Sequence, residues 1–382
     1  MNAESPSSVL DLTCALIARR SNTPDDAGCC EVLASRLRPL GFSIEYLDAE
    51  GVTNLWATRG SGRPLTILAG HTDIVPTGPL EQWSSDPFVP SVRDGVLYGR
   101  GAADMKSGLA AMTCAVERLL RSGFDLPGTL AFLVTSDEEG MATWGTQHAV
   151  KLLQARGLVP DYAVVGEASS SERLGDRIVV GRRGSLGCNL RVIGKQAHVA
   201  YPHKGDNAVH RLVPALAELV ATRWDEGNAH FPPTSFQVSN FRAGTGASNV
   251  IPGAAEAVFN FRYSTESRAE DLKARVHAVL DRWCPQYEAD WWHTGQPFLT
   301  RPGRLIEAAR AAIGEVTGIT EPELFTGGGT SDARFLAPWG AEVVEIGPIN
   351  DSIHKIDEHV RVADLEPLSR IYEATLRDIA AR

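Results

Sequence analysis

A chain of 382 residues with 43% hydrophobic and 22% charged side chains has room for two domains and a large core, which excludes a disordered chain. Its formal net charge of −10 excludes a broad basic face for nucleic acid or an anionic membrane, so any arginine or lysine cluster is local. Six cysteines form no Cys-x-x-Cys pair and two of them, Cys29 and Cys30, are adjacent, so neither a disulfide framework nor a thiolate metal site is expected and a reducing cytoplasm is.

Residues 1–8 are polar, with no basic stretch leading into an apolar one, so no secretory signal is expected there. No run approaches membrane-spanning length, and no repeat or low-complexity tract is present. Cys30, Leu33, Leu37 and Leu40 recur at helical spacing with Gly41 behind them as a cap. Phe42, Ile44 and Tyr46 then alternate as a strand, and further strands are expected at 54–58 and 65–69.

The run at 65–69 ends in Gly70-His71-Thr72-Asp73, which puts His71 and Asp73 at the carboxyl end of a buried parallel strand. Ligands bind at that edge of open α/β sheets. On a two-residue period the pair shares a face, where a carboxylate can receive one imidazole N–H while the other nitrogen binds a metal. Residues 76–94 read as one long polar and aromatic loop.

Within 106–122, Leu109, Met112, Val116, Leu119 and Leu120 form a helical stripe closed by Gly123, so Asp104 falls at a helix entrance beside Gly99, Gly101 and Gly108. A strand at 129–135 empties into Ser136-Asp137-Glu138-Glu139-Gly140, and one at 162–165 into Gly166-Glu167. Three strands thus deliver His71, the Glu138-Glu139 pair and Glu167 to one sheet edge.

The pattern changes at Gly181-Arg182-Arg183-Gly184. Strand 186–193, helix 207–224, strands 235–241 and 255–263, helix 269–283 and strand 287–292 give β-α-β-β-α-β, the order of a ferredoxin-like α+β domain inserted into the first. After Pro297 a helix at 304–317, a strand at 341–346 and a closing helix from Asp364 complete the main domain. The division expected is 1–181 and 297–382 for the catalytic domain and 182–296 for the insert.

Histidines and carboxylates without thiolates suit Zn²⁺, Mn²⁺ or Co²⁺, with zinc the first choice. Two ions about 3.5–4 Å apart need about five protein ligands. His71, Asp104, Glu139, Glu167 and His354 supply that number and leave Glu138 over. A carboxylate beside the ions but not on them can take a proton from water and return it to a leaving amine.

The segments 70–76, 98–106 and 135–140, with Glu167, resemble the di-zinc carboxypeptidase and aminoacylase family. Gly181–Leu186, 194–203, Gly328-Gly329-Thr330-Ser331-Asp332 and 347–355 are similar to the branch of that family that removes succinate from N-succinyl-LL-2,6-diaminopimelate, in lysine and peptidoglycan-precursor synthesis. The resemblance runs through nearly the whole chain. It implies a mixed-sheet, di-zinc aminopeptidase-like α/β catalytic domain with a ferredoxin-like lid that forms a homodimer, and a small-molecule substrate rather than a nucleic acid or membrane.

It further implies two Zn²⁺ per subunit, with Co²⁺ or Mn²⁺ able to substitute. Asp104 is to bridge them, His71 and Glu167 to complete one site, and Glu139 and His354 the other. Glu138 is to be general base and acid, Asp73 to orient His71, the Asp104–Met105 peptide to be cis, and His198 to reach the partner's active site. A substrate with three carboxylates and one ammonium needs local cations in an acidic protein, and Arg182 and Arg262 are the candidates, with Arg183 a weaker one. By resemblance Ser185, Tyr201, Asn249, Thr330 and Asn350 add polar contacts.

His148, His203, His210, His230, His277, His293 and His359 lie outside the matched motifs and are read as non-ligands, and Trp83, Trp291 and Trp292 as packing residues. One departure is visible: Ala168 follows Glu167 where the branch carries proline. Rival readings are an acetylornithine deacetylase or another carboxypeptidase or aminoacylase, and a non-catalytic metal-binding paralogue, which the presence of Glu138 disfavours.

Overall fold

A computed structural model describes residues 8–381 and divides the chain into two compact units. The first runs to Gly181 and resumes at Thr300–Phe325 and from Ser331 onward; the second is Arg182–Leu299 with Thr326–Thr330. The short Thr326–Thr330 segment therefore belongs with the insert rather than with the 297–382 stretch. Residues 1–7, most of the amino-terminal segment read as lacking a signal, lie outside the described residues.

The first unit is built on an eight-stranded mixed sheet among the described residues. Its order is Ser43–Tyr46, Asn54–Gly60, Thr129–Thr135, Leu65–His71, Tyr162–Val165, Glu342–Glu345, Arg177–Val179 and Glu323–Phe325. Leu65–His71 pairs in parallel with both Thr129–Thr135 and Tyr162–Val165, and Tyr162–Val165 pairs in parallel with Glu342–Glu345. All seven residues of Leu65–His71 are buried, as a central strand covered on both faces requires. Helix Ser107–Arg121 presents Leu109, Met112, Val116 and Leu119 to the core.

Glycine makes two close approaches possible. A Cβ on Gly108 would lie 2.2 Å from the carbonyl oxygen of Gly166, and one on Gly347 would lie 2.1 Å from that of Glu167. The helix after Asp104 and the loop before His354 can therefore both lie against the strand end that carries Glu167.

The structure adds elements to the sequence reading. Helices Val9–Ile17, Thr146–Ala155 and Ala333–Trp339 were not expected: the first is apolar nearly all round, and the last contains Pro338. The stretch 76–94 is not loop throughout, because Ser91–Arg93 pairs with Val96–Tyr98, which also pairs with His359–Arg361. These three-residue strands are too short to show a period.

The second unit is a four-stranded antiparallel sheet in the order Ser235–Ala243, Ala254–Tyr263, Gly184–Ile193, Tyr287–Gly295, with helices Ala208–Ala221 and Ala269–Trp283. The second and third strands in chain order are neighbours, while the first and second, and the third and fourth, are each separated in the sheet, as in the ferredoxin-like fold. Its core joins Leu186, Leu190, Leu212, Phe259, Phe261 and Val276. Asn207 caps the first helix by accepting the Val209 N–H at 3.0 Å. Trp291 packs partly buried against this core and Trp83 is buried in the first unit, while Trp292 remains 36% exposed.

Candidate metal centre

Five of the residues expected to hold metal converge in the first unit. His71 ends its strand buried, with Nε2 3.1 Å from Asp104 Oδ1 and 3.4 Å from Glu167 Oε1. His354 Nε2 lies 3.2 Å from Asp104 Oδ2 and 2.9 Å from Glu139 Oε1. The two oxygens of Asp104 thus face two different histidines, each of which faces a second carboxylate. Asp104 lies in an irregular turn, Ala102–Lys106, with backbone angles outside the helical range, and its peptide bond to Met105 is cis.

Asp73 is buried behind His71 in a way the spacing did not disclose. The nearest acceptor for His71 Nδ1 is the Asp73 carbonyl at 2.9 Å, while the Asp73 carboxylate is 3.6 Å away. The carboxylate is committed elsewhere: it accepts the backbone N–H of Glu138 at 3.2 Å and of Glu139 at 3.1 Å. Asp73 therefore orients the imidazole through its main chain and the acidic pair through its side chain.

Glu138 is partly buried beside these groups. Its Oε1 sits 3.1 Å from Arg334 Nη1, yet the angle is poor for a hydrogen bond and that oxygen has no hydrogen-bond partner. The contact is an ion pair. A carboxylate oxygen of Glu138 also falls in a cluster with ligand atoms of His71 and Glu167, all within 4.8 Å of one another, and His71, Asp104 and Glu139 form a second such cluster. Arg334 stood outside the sequence reading. It lies two residues beyond the Gly-Gly-Thr-Ser-Asp segment, and an arginine after a buried aspartate was the signal available.

The electrostatics show how strongly the negative groups act on one another. Burial raises the Glu167 carboxyl, and the charge of Asp104 adds to it, reaching about 7. Burial also pushes Glu138 well above the usual carboxylate range, against the opposing charge of Arg334. Burial alone would depress His71, but hydrogen bonds to Asp104 and Glu167 carry it well above its ordinary value. Asp104 and Glu139 raise His354 to about 10. Four carboxylates around two imidazole nitrogens concentrate negative charge that divalent cations would offset, and the oxygen and nitrogen donor set fits zinc, manganese or cobalt.

Asn350 is also in the first unit, where its N–H donates to the Ser170 carbonyl at 3.0 Å. The other expected substrate contacts belong to the second unit. Arg182 donates to the Gly327 carbonyl at 3.0 Å, in the segment that ends at Thr330. Ser185 pairs across the sheet with Arg262 and accepts from Asn260 at 3.3 Å. His198, Tyr201 and Asn249 are exposed and adjacent: the His198 and Tyr201 rings are 5.8 Å apart, and the Val199 N–H donates to the Asn249 carbonyl at 3.0 Å.

The model of peptidase family M20/M25/M40 matches residues 67–378. A protein of Thioalkalivibrio sulfidiphilus named succinyl-diaminopimelate desuccinylase is 60% identical over 371 residues, covering 97% of this chain and 98% of that protein. One of the same name from Azoarcus sp. is 58% identical over 368 residues, covering 96% of this chain and 97% of that one. Among solved structures, the M20 family metallo-carboxypeptidase Sso-CP2 of Sulfolobus solfataricus superposes with a TM-score of 0.84 at 16% identity, over 98% of this chain and 100% of that one, a likeness of fold.

Proposed function

The chain belongs to peptidase family M20/M25/M40, and from that premise we propose that it is a metal-dependent amide hydrolase that removes succinate from N-succinyl-LL-2,6-diaminopimelate. The observation that carries the chemistry is the carboxylate of Asp104 set between His71 and His354, with the partly buried Glu138 beside it. The substrate is carried by identities of 58–60% over nearly full length to proteins named for that reaction.

His71, Asp104 and Glu167 would hold one ion and Asp104, Glu139 and His354 the other, with zinc the proposed metal and cobalt or manganese substitutes. When bound, the two ions supply polarisation of the amide carbonyl and acidification of a water molecule. Glu138 accepts the proton of the attacking water and returns it to the departing amine as the C–N bond breaks, leaving succinate and free diaminopimelate. Arg334, beside Oε1, fixes one end of that carboxylate. Asp73 fixes the backbone of Glu138 through its N–H.

In the lid, His198 Nδ1 accepts the Ala200 N–H at 3.0 Å, which leaves the ring proton on Nε2 as a donor for a developing oxyanion. We assign this His198 to the active site of a partner in a homodimer. Supporting the dimer, Val213 and Val220 on helix Ala208–Ala221 are 50% and 63% exposed, and the open edge strand Ser235–Ala243 exposes Phe241. Arg182, Arg262, Ser185, Tyr201, Asn249, Thr330 and Asn350 are the proposed substrate contacts, the two arginines meeting carboxylates.

No described helix is long and apolar enough to cross a membrane, and the six cysteines are free. The enzyme is assigned to the cytoplasm, where such a biosynthetic intermediate is processed. Purified protein offered N-succinyl-LL-diaminopimelate and N-acetylornithine in parallel tests the assignment. Release of succinate at the greater kcat/KM supports it, and faster acetate release overturns it.

A further inference from the structure

Glu358 lies four residues beyond His354, and its buried carboxylate collects the donors of the segment that carries Asp104. One oxygen, Oε1, accepts the N–H of Ala103 at 2.9 Å and of Asp104 at 3.0 Å. The other, Oε2, accepts the Gly101 N–H at 2.9 Å and Arg100 Nη1 at 2.8 Å.

Arg100 is itself almost wholly buried. The same Nη1 donates to the Lys355 carbonyl at 3.2 Å, and Nη2 approaches the carbonyls of Pro76 and Thr77 at 3.4 and 3.5 Å. Lys355 follows His354 directly, and His354 holds a left-handed backbone with φ of 60°, a conformation that a non-glycine residue keeps only where its surroundings impose it. A single ion pair therefore ties the Asp104 turn to the His354 loop.

We propose that Glu358, oriented by Arg100, is a positioning residue that sets the separation of Asp104 and His354 and thereby the metal affinity of the site they share. The proposal rests on the reading of those residues as metal ligands. The physical case is one of polarity. Four donors converge on two oxygens, so an anion satisfies them all. In a Glu358→Gln protein the neutral amide would turn an NH₂ group toward either the Ala103 and Asp104 N–H pair or the Gly101 and Arg100 pair. Donor would then face donor, and the turn would have to open.

Partners behind metal ligands commonly contribute about 10–100-fold in metal affinity. The test is calorimetric titration of Zn²⁺ into chelator-stripped wild type, Glu358→Gln and Arg100→Lys proteins, with circular dichroism to establish that each is folded and the cobalt-substituted absorption spectrum as a geometric readout. Glu358→Gln is expected to lose at least about tenfold in affinity and to shift the cobalt spectrum. Arg100→Lys, which keeps the charge but not the two-sided grip, is expected to lose less in the same direction. Folded Glu358→Gln protein with wild-type affinity and spectrum overturns the proposal. Should that variant fail to fold, wild-type affinity in Arg100→Lys overturns it instead. Wild-type protein that binds no metal would defeat the functional reading itself, a separate outcome.

Discussion

His71 Nε2 stands 3.1 Å from Asp104 Oδ1, and the other oxygen of that carboxylate is turned to His354, 3.2 Å away. Each histidine belongs to one ion in the proposed centre, whereas Asp104 belongs to both. Asp104→Ala is therefore expected to abolish tight binding of both ions, while His354→Ala leaves one ion bound through His71 and Glu167. Metal content per chain after gel filtration, near zero for the first variant and near one for the second, checks the distinction.

Glu138 is assigned to proton transfer and not to metal binding. Glu138→Gln should keep both ions and lose about 10²–10⁴-fold in kcat, the usual contribution of a positioned acid–base group. Loss of metal along with activity would instead make Glu138 a ligand.

Arg334 pairs with Glu138 Oε1 in a buried setting. Arg334→Met should retain the ions and depress kcat more than KM, with partial recovery on adding guanidinium to the assay. A change confined to KM would place Arg334 at the substrate instead.

Metal binding should release protons. With the ions absent, His354 is raised to about 10 by Asp104 and Glu139, so it carries a proton near neutral pH that a metal must displace. Affinity should accordingly rise with pH through the neutral range. Calorimetry in buffers of different ionisation enthalpy measures the protons released, and a value of zero at pH 7 would contradict this.

The lid unit carries its own acid-sensitive clasp. Burial raises the Asp225 pKa, but hydroxyl donors Ser267 and Thr234 and the N–H groups of Thr234 and Gly227 outweigh it, and the net value falls from 3.8 to about 2. A carboxyl depressed on folding stabilises the folded state above its unfolded pKa, and that contribution fades as pH falls toward the folded value. Asp225→Asn should lower the melting temperature at pH 7, by an amount that shrinks progressively as pH falls from about 4 toward 2. Thermal unfolding of both proteins across that range is the check.

Much of this was legible in the chain because strand ends were. The run 65–69 stops at Gly70, and 129–135 and 162–165 each empty into glutamate, so the gathering of His71, Glu138, Glu139 and Glu167 at one edge followed from period and length alone. The β-α-β-β-α-β order of the insert was equally plain, since each of its strands is long enough to alternate.

What escaped has physical reasons. Asp73 directs its carbonyl to His71 and its carboxylate to two backbone N–H groups, and a two-residue period cannot say which acceptor faces the ring. Arg100, Arg334 and Glu358 act through contacts between segments far apart in the chain, Arg100 and Glu358 being 258 positions apart. Helix Val9–Ile17 lacks the polar face that betrays an amphipathic helix, and Ser91–Arg93 is too short to alternate.

In the proposed centre, hydrolysis of N-succinyl-LL-diaminopimelate depends on two ions held about Asp104. Zinc titrated into chelator-stripped protein, with succinate release followed at each addition, tests it most directly. No activity is expected without metal, and the rate should saturate at two ions per chain. Undiminished succinate release by the stripped protein would contradict it.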